Sequence, residues 1–293
     1  KPTARIARRL GVRAQELLLT NGGDEALRVF FDTFVEPRSH ILICEPTFPM
    51  YRYYAEIAGA RIAVCRYDSQ QRFPLNEVLS ALSKKPRVFF LANPNNPTGT
   101  QVAPAALRTI LNAAPNTVIV FDEAYAEFSG FSSIPWIHGY PNLFITRTFS
   151  KAAGLAALRL GAVIASKDSL AYVRRAMPPF PVNIAALVAA EAALSDRKTI
   201  ATYVRNIKRT RDSFTADLQK LGIITFPSAG NFMLADFGPA GPALFLKLER
   251  QGILLRDRSK DMGPGFVRIT IGTPAEMKLL LVAIKKGWQP SNS

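Results

Sequence analysis

The sequence is short of the residues that build metal and redox centres. It has two cysteines and two histidines in 293 residues. Cys44 and Cys65 sit in the apolar runs "ILICEP" and "RIAVCRY", with neither CxxC nor metal-ligand spacing. Buried free thiols in a reducing cytoplasm are the expectation. His40 and His138 are too few for a histidine-rich metal site, so no metal is expected. No apolar run reaches membrane-spanning length. The opening "KPTARIARRLG" carries charge but no apolar stretch of a secretory signal. Acidic residues are scarce as well, 22 against 37 Lys and Arg, for a formal net charge of +15. Such a balance can mark a nucleic-acid partner. The densest basic segment is "RKTIATYVRNIKRTRD", where Arg205, Lys208, Arg209 and Arg211 alternate with Val204 and Ile207. That pattern reads as the solvated face of an amphipathic helix. Without zinc-finger spacing or an RNP-like aromatic motif, no nucleic-acid partner is expected. The charge is read as attraction for anionic substrates.

What is present is 48% hydrophobic sequence, enough for a sizeable core. There is no internal repeat. Short β-rich runs alternate with amphipathic stretches. Strands are expected over 40–44, 61–67, 87–92, 117–122, 142–148 and 160–166, and helices over 23–34, 48–59, 75–83, 104–113 and 167–177. Continuously apolar strands separated by helices predict an α/β fold with a mostly parallel sheet covered on both faces. The short link between 142–148 and 160–166 makes that sheet mixed. "MPPFPVN" (177–183) is the clearest break, since its prolines end a helix and stiffen a joint. Beyond it come helices over 183–194, 196–221, 242–251 and 274–287, and strands over 231–237, 252–257 and 266–272. The expected division is a large domain over 1–178 and a smaller α+β domain over 179–293.

Four segments carry chemistry, each at a strand end or a helix start, where open α/β sheets place ligands. In "TNGGDEAL" the N–H groups of Gly23 and Asp24 are free to hold a phosphate at a helix N-terminus; a plain turn and N-cap is the ordinary reading. "ANPNNPTGT" is longer than an ordinary turn needs, and forms a rigid hydrogen-bonding loop. In "VIVFDEAYAEF", Asp122 ends an apolar strand and must be paired or solvated. It suits a protonated nitrogen, or else caps the next helix. In "RTFSKAAGLAALRLG", Lys151 among small residues can lose its proton and attack a carbonyl; alone it reads as a snorkelling surface lysine. Together the four describe one ligand with a phosphate, a protonated ring nitrogen and an aldehyde. Pyridoxal 5′-phosphate has all three.

The order "NGGDE … PTFPMY … NPNNPTG … DEAYAEF … RTFSKAAGLAALRLG … NF … RITIGT" resembles the histidinol-phosphate aminotransferase branch of the fold-type I pyridoxal-phosphate enzymes, and Asp122 and Lys151 stand 29 positions apart as in that superfamily. The resemblance implies a catalytic set of Lys151, Asp122 and Tyr125. Lys151 carries the cofactor and serves as general base, Asp122 holds the ring nitrogen, and Tyr125 and Asn96 bond the ring oxygen. Phe48, where the family usually has tyrosine, stacks on the ring. Gly23, Asp24, Thr148, Ser150 and Arg159 hold the cofactor phosphate. Asn96, Asn231, Arg256 and Arg268 face substrate. The implied reaction transfers an amino group from a small-molecule donor, L-histidinol phosphate, to a 2-oxo acid, 2-oxoglutarate, in a cytoplasmic homodimer. An aromatic amino acid aminotransferase or a threonine-phosphate decarboxylase of the same fold is the alternative. A non-catalytic regulatory or nucleic-acid-associated protein is a more distant one. The family also implies an N-terminal arm that closes over the site and reaches the neighbouring subunit; it is expected to be absent here.

Overall fold

The computed structural model describes residues 2–288. Its larger sheet contains β1 (Leu17–Asn21), β2 (His40–Glu45), β3 (Arg61–Arg66), β4 (Val88–Ala92), β5 (Val118–Asp122), β6 (Leu143–Thr148) and β7 (Leu160–Ile164), in the order β1-β7-β6-β5-β4-β2-β3. Neighbours from β3 across to β6 pair in parallel, and β7 runs antiparallel to both β6 and β1. The expected mixed α/β sheet is therefore present. The β6–β7 link holds only the 3₁₀ turn Ala156–Leu158. It is too short for a crossover helix, so the chain must return antiparallel.

Strand composition explains why both faces are covered. Along β4, Phe89 and Leu91 enter one core while Val88, Phe90 and Ala92 enter the other. The two-residue period sends successive side chains to opposite faces, and with both faces buried the run reads as continuously apolar. Around the sheet lie α1 (Pro2–Leu10), α2 (Gly22–Phe34), α3 (Met50–Ile57), α4 (Leu75–Leu82), α5 (Pro104–Ala113), the single turn α6 (Ala126–Ser129), α7 (Lys167–Arg175) and α8 (Ile184–Ser195). Ala186 and Ala190 of α8 pack into the core of this sheet, beyond the proline-rich break.

The long α9 (Arg197–Lys220) leads to a second, antiparallel sheet. It consists of β8 (Ile224–Thr225), β9 (Phe232–Asp236), β10 (Arg256–Asp257) and β11 (Phe266–Thr270), ordered β10-β11-β9-β8. With it come α10 (Gly241–Arg250), the short α11 (Ser259–Met262) and α12 (Pro274–Gly287). Phe214 and Leu218 of α9, Leu244 and Leu248 of α10, and Leu280 and Ile284 of α12 form its core. On α9, Arg205, Lys208 and Arg209 are exposed as expected, but Arg211 is buried and donates to the Gly230 carbonyl at 2.9 Å. Among the described residues no helix is long and apolar enough to cross a membrane.

Two expectations about strands change as well. Leu17–Asn21 is a strand the local pattern does not announce, and the strand expected over 252–257 shrinks to Arg256–Asp257. Gly252 has a φ of 76° and the Ile253 N–H still bonds the Leu248 carbonyl. Those residues therefore close α10 instead of joining the ladder.

Candidate active site

Four of the site's segments meet at one edge because the strands that lead into them point the same way. β4, β5 and β6 end at this edge in Ala92, Asp122 and Thr148. β1, antiparallel to β7, ends there in Asn21, and β7 begins there. The chain leaves in the Asn93–Gly99 loop, the Glu123–Tyr125 turn and the Lys151 loop, while α2 starts immediately at Gly22. The result is a cleft of about 730 Å³ between the large sheet and the arginine-bearing side of the small one. Gly23, Asp24, Phe48, Asn96, Asp122, Tyr125, Thr148, Ser150, Lys151, Arg159, Arg256 and Arg268 all line it. Asn231 does not; its carbonyl accepts the Ile271 N–H at 2.9 Å, tying β9 to the end of β11.

At the floor, Asp122 accepts from Tyr51 Oη at 2.7 Å on one oxygen, and from Thr146 Oγ1 at 3.0 Å and the Ala124 N–H at 3.2 Å on the other. Burial pushes its carboxyl pKa up, against the pull of these hydrogen bonds. A carboxylate can accept about four hydrogen bonds, so room remains for one more donor. Burial, then the Asp122 charge, hold the Tyr51 hydroxyl well above the ordinary phenol range. It therefore stays a proton donor to the carboxylate.

Lys151 Nζ lies 5.6 Å from the centre of the Tyr125 ring. Burial and then the Arg268 charge push its pKa below the ordinary lysine value. Both favour the neutral amine. Burial raises the Tyr125 hydroxyl to about 12, and its ring packs edge-on against Phe232 with centroids 5.0 Å apart. Phe48, the aromatic at the cleft wall, meets Tyr51 edge-on at 5.9 Å.

The α2 end of the cleft is shaped by close backbone approach. Gly22 has a φ of 78°, and Gly161 of β7 lies so near it that a Cβ there would fall 2.4 Å from the Gly22 carbonyl carbon and oxygen. Arg159 is itself left-handed, with a φ of 52°. This turn brings its guanidinium beneath Gly22, where it donates to Asp24 at 3.1 Å and to the Ala156 carbonyl at 3.0 Å. The free N–H groups of the first turn of α2, with Arg159 and the Thr148 and Ser150 hydroxyls, make an anion cradle. Behind it a triad of buried Arg147 and Glu123 with half-buried Glu127 fixes the β6 end. Arg147 bonds Glu123 at 3.1 Å and Glu127 at 2.5 Å, and Glu123 also accepts from Ser132 Oγ and the Ser133 N–H.

At the far end, Arg268 Nη1 donates to Asn96 Oδ1 at 2.7 Å, joining the small sheet to the Asn93–Gly99 loop. Its guanidinium lies 5.4 Å from the Phe232 ring centre. Beside it stand Arg256 and Arg258. The loop is rigid from within. Asn95 accepts from Thr47 and donates to the Pro46 carbonyl and Thr98, and Asn93 accepts the Val102 N–H.

Sequence reasoning passed over Tyr51, Thr146, Arg147 and Arg258. Tyr51 and Thr146 offered no local signal, because their partner Asp122 is 71 and 24 positions away. Arg258 did: with Arg256 it forms an R-x-R, which on a strand puts both side chains on one face.

The chemistry available is a lysine amine whose burial favours loss of its proton, a carboxylate short of one donor, an anion cradle at one end and an arginine cluster at the other. A family model described as "Aminotransferase class I and II" matches residues 3–284. A histidinol-phosphate aminotransferase of Geobacillus sp. (strain WCH70) is 37% identical over 286 residues, spanning 96% of this chain and 78% of that protein. The crystal structure of histidinol-phosphate aminotransferase from Sinorhizobium meliloti in complex with pyridoxal-5′-phosphate superposes with a TM-score of 0.90 at 26% identity, covering 97% of this chain and 80% of that one. L-threonine-O-3-phosphate decarboxylase from Porphyromonas gingivalis superposes at 0.84 with 28% identity, covering 97% and 87%.

Proposed function

The chain belongs to the class I and II aminotransferase family, and from that footing we propose that it is a pyridoxal 5′-phosphate-dependent enzyme exchanging an amino group between L-histidinol phosphate and 2-oxoglutarate. The products are imidazole acetol phosphate and L-glutamate, a step of histidine biosynthesis. The observation that carries this reading is the single cleft that holds Lys151 and Asp122 between an anion cradle and the arginines of the small sheet.

The residues present fit the cofactor. Asp122 has one acceptor position left for a ring N–H, and α2 starts on two glycines, Gly22 and Gly23, with no Cβ between a phosphate and their backbone. Bound there, pyridoxal phosphate supplies an aldehyde to take up the amino group and an electron-withdrawing ring to stabilise the adjacent carbanion.

The chain's own residues do the rest. Asp122, locked by Tyr51 and Thr146, keeps the ring nitrogen protonated. Lys151, its pKa lowered by burial and the Arg268 charge, gives up its own proton more readily and so can take one from the substrate Cα and return it. Tyr125 stays protonated as a donor to the ring oxygen, with Asn96, and Phe48 stacks on the ring. Gly23, Asp24, Thr148, Ser150 and Arg159 hold the cofactor phosphate. Arg268 and Arg256 take the substrate anion, and Asn231 acts through the backbone link between β9 and β11. We assign residues 1–178 to the cofactor-binding domain, on whose sheet α8 also packs, and the rest of 179–293 to the substrate-facing one, in a cytoplasmic homodimer.

A second reading, decarboxylation of threonine phosphate, is favoured by the likeness to the Porphyromonas enzyme. Side-by-side turnover decides. Histidinol phosphate with 2-oxoglutarate should be the fastest pair, ahead of phenylalanine with 2-oxoglutarate and of threonine phosphate alone. Faster release of carbon dioxide from threonine phosphate, or faster transamination of phenylalanine, contradicts the assignment.

A further inference from the structure

The arginine end of the cleft carries more positive charge than its own carboxylates balance. Arg256 and Arg268 stand directly opposite each other across the antiparallel pair β10–β11, a position where like charges repel. Arg258 follows on the same face as Arg256 and continues the ladder, its N–H donating to the Phe266 carbonyl at 2.8 Å. All three line the cleft. Arg258 pairs with Asp261, while Arg256 and Arg268 have no carboxylate partner among the described residues. Three guanidiniums against one carboxylate leave two positive charges uncompensated. Two donors are idle as well: Nε of Arg258 and Nε of Arg268 are buried without a partner, although Arg258 is only 7% exposed. A buried donor without an acceptor is costly, so the cluster is built for something that brings acceptor oxygens and about two negative charges. A phosphate monoester does. A carboxylate brings one charge and two oxygens.

We propose that Arg258 is a specificity-determining residue: with Arg256 and Arg268 it matches a phosphate dianion, and it separates the phosphorylated amino donor from the singly charged carboxylate that the oxo acid presents to the same end of the cleft. The proposal rests on the amino-donor reading above and adds to it the residue that sets donor against acceptor.

The test uses the holoenzyme with Arg258→Gln and Arg258→Lys, and follows the two half-reactions separately. Arg258→Gln should weaken histidinol phosphate on the order of 10- to 100-fold, and at least about tenfold more than it weakens 2-oxoglutarate. Arg258→Lys keeps the charge without the planar fork and should recover part of the loss. A readout free of turnover is competitive binding of methyl phosphate across pH. Its dianion forms above a pKa of about 6, so wild-type affinity should strengthen through that pH and the Arg258→Gln profile should flatten. Equal losses on donor and acceptor, or an unchanged methyl phosphate profile, overturn the role of Arg258. Wild-type enzyme that prefers phenylalanine to histidinol phosphate overturns the donor reading instead, and the methyl phosphate profile then decides Arg258 alone.

Discussion

Adding one methyl group at Gly161 should damage the anion cradle from behind. Gly161 sits opposite Thr20 on β1 and Thr148 on β6, directly under the start of α2. A Cβ there would lie 2.4 Å from the Gly22 carbonyl carbon and oxygen and 2.8 Å from the Gly23 nitrogen. Ordinary contact begins at 3.4 Å, so the shortfall is about 1 Å, and the neighbour is backbone that cannot rotate away. Either α2 moves as a unit or β7 buckles between two strands. Overpacking of this kind costs about 1–3 kcal/mol, a fall in Tm of several degrees. Moving the α2 N–H groups by that distance also takes them out of hydrogen-bonding range of a phosphate, and losing one charge-assisted bond weakens binding by roughly tenfold or more. The assay is thermal unfolding of Gly161→Ala, paired with cofactor titration of the stripped protein. Gly130→Ala is the control. Its φ of 75° strains an alanine too, but nothing lies within 4 Å of the added atom, so it should lose stability without losing cofactor affinity. Gly161→Ala with wild-type affinity for pyridoxal phosphate would refute the claim that this close approach builds the cradle.

Two further outcomes follow from the centre of the cleft. Asp122→Asn should retain cofactor yet lower kcat on the order of 100-fold or more, because a neutral amide no longer holds the ring nitrogen protonated; stopped-flow half-reactions check it, and a loss confined to KM would contradict it. Lys151→Gln should abolish turnover, yet make the cofactor-free protein more stable near neutral pH. The Lys151 pKa is pushed down on folding, so the unfolded chain binds the extra proton, and the lysine's penalty is relieved as pH rises from the folded toward the unfolded value. The stability gap between the variants in urea should close at alkaline pH; a gap that widens there would refute the sign.

Much of the fold was legible because its strands are buried on both faces. The stretches "VFFLA" and "VIVF" stay apolar at every position, and they lead to residues of the site, Ala92 and Asp122. The strand Leu17–Asn21 was not legible. Its "LLLTN" is as compatible with a helix, and only its pairing with β7, more than a hundred residues away, makes it a strand. "GILLRD" erred the other way: a strand-like composition is spent on closing α10, and pairing with β11 begins only at Arg256. The candidate site divides on the same line. Lys151, Asp122 and Gly23 lie in local motifs whose chemistry is written in adjacent residues. Tyr51 is helical, fully buried and aimed at a carboxylate on another element. Its role is created by the fold. Arg147 falls in between, inside a quoted motif but turned behind the cradle to hold Glu123 and Glu127.

Borohydride reduction followed by peptide mass mapping decides whether Lys151 is the lysine that joins the cofactor. Reduced holoenzyme should carry the added mass of the cofactor on the peptide containing Lys151, and Lys151→Gln treated in the same way should carry none. Cofactor mass on any other lysine of the wild-type protein, or retained in the variant, contradicts the account.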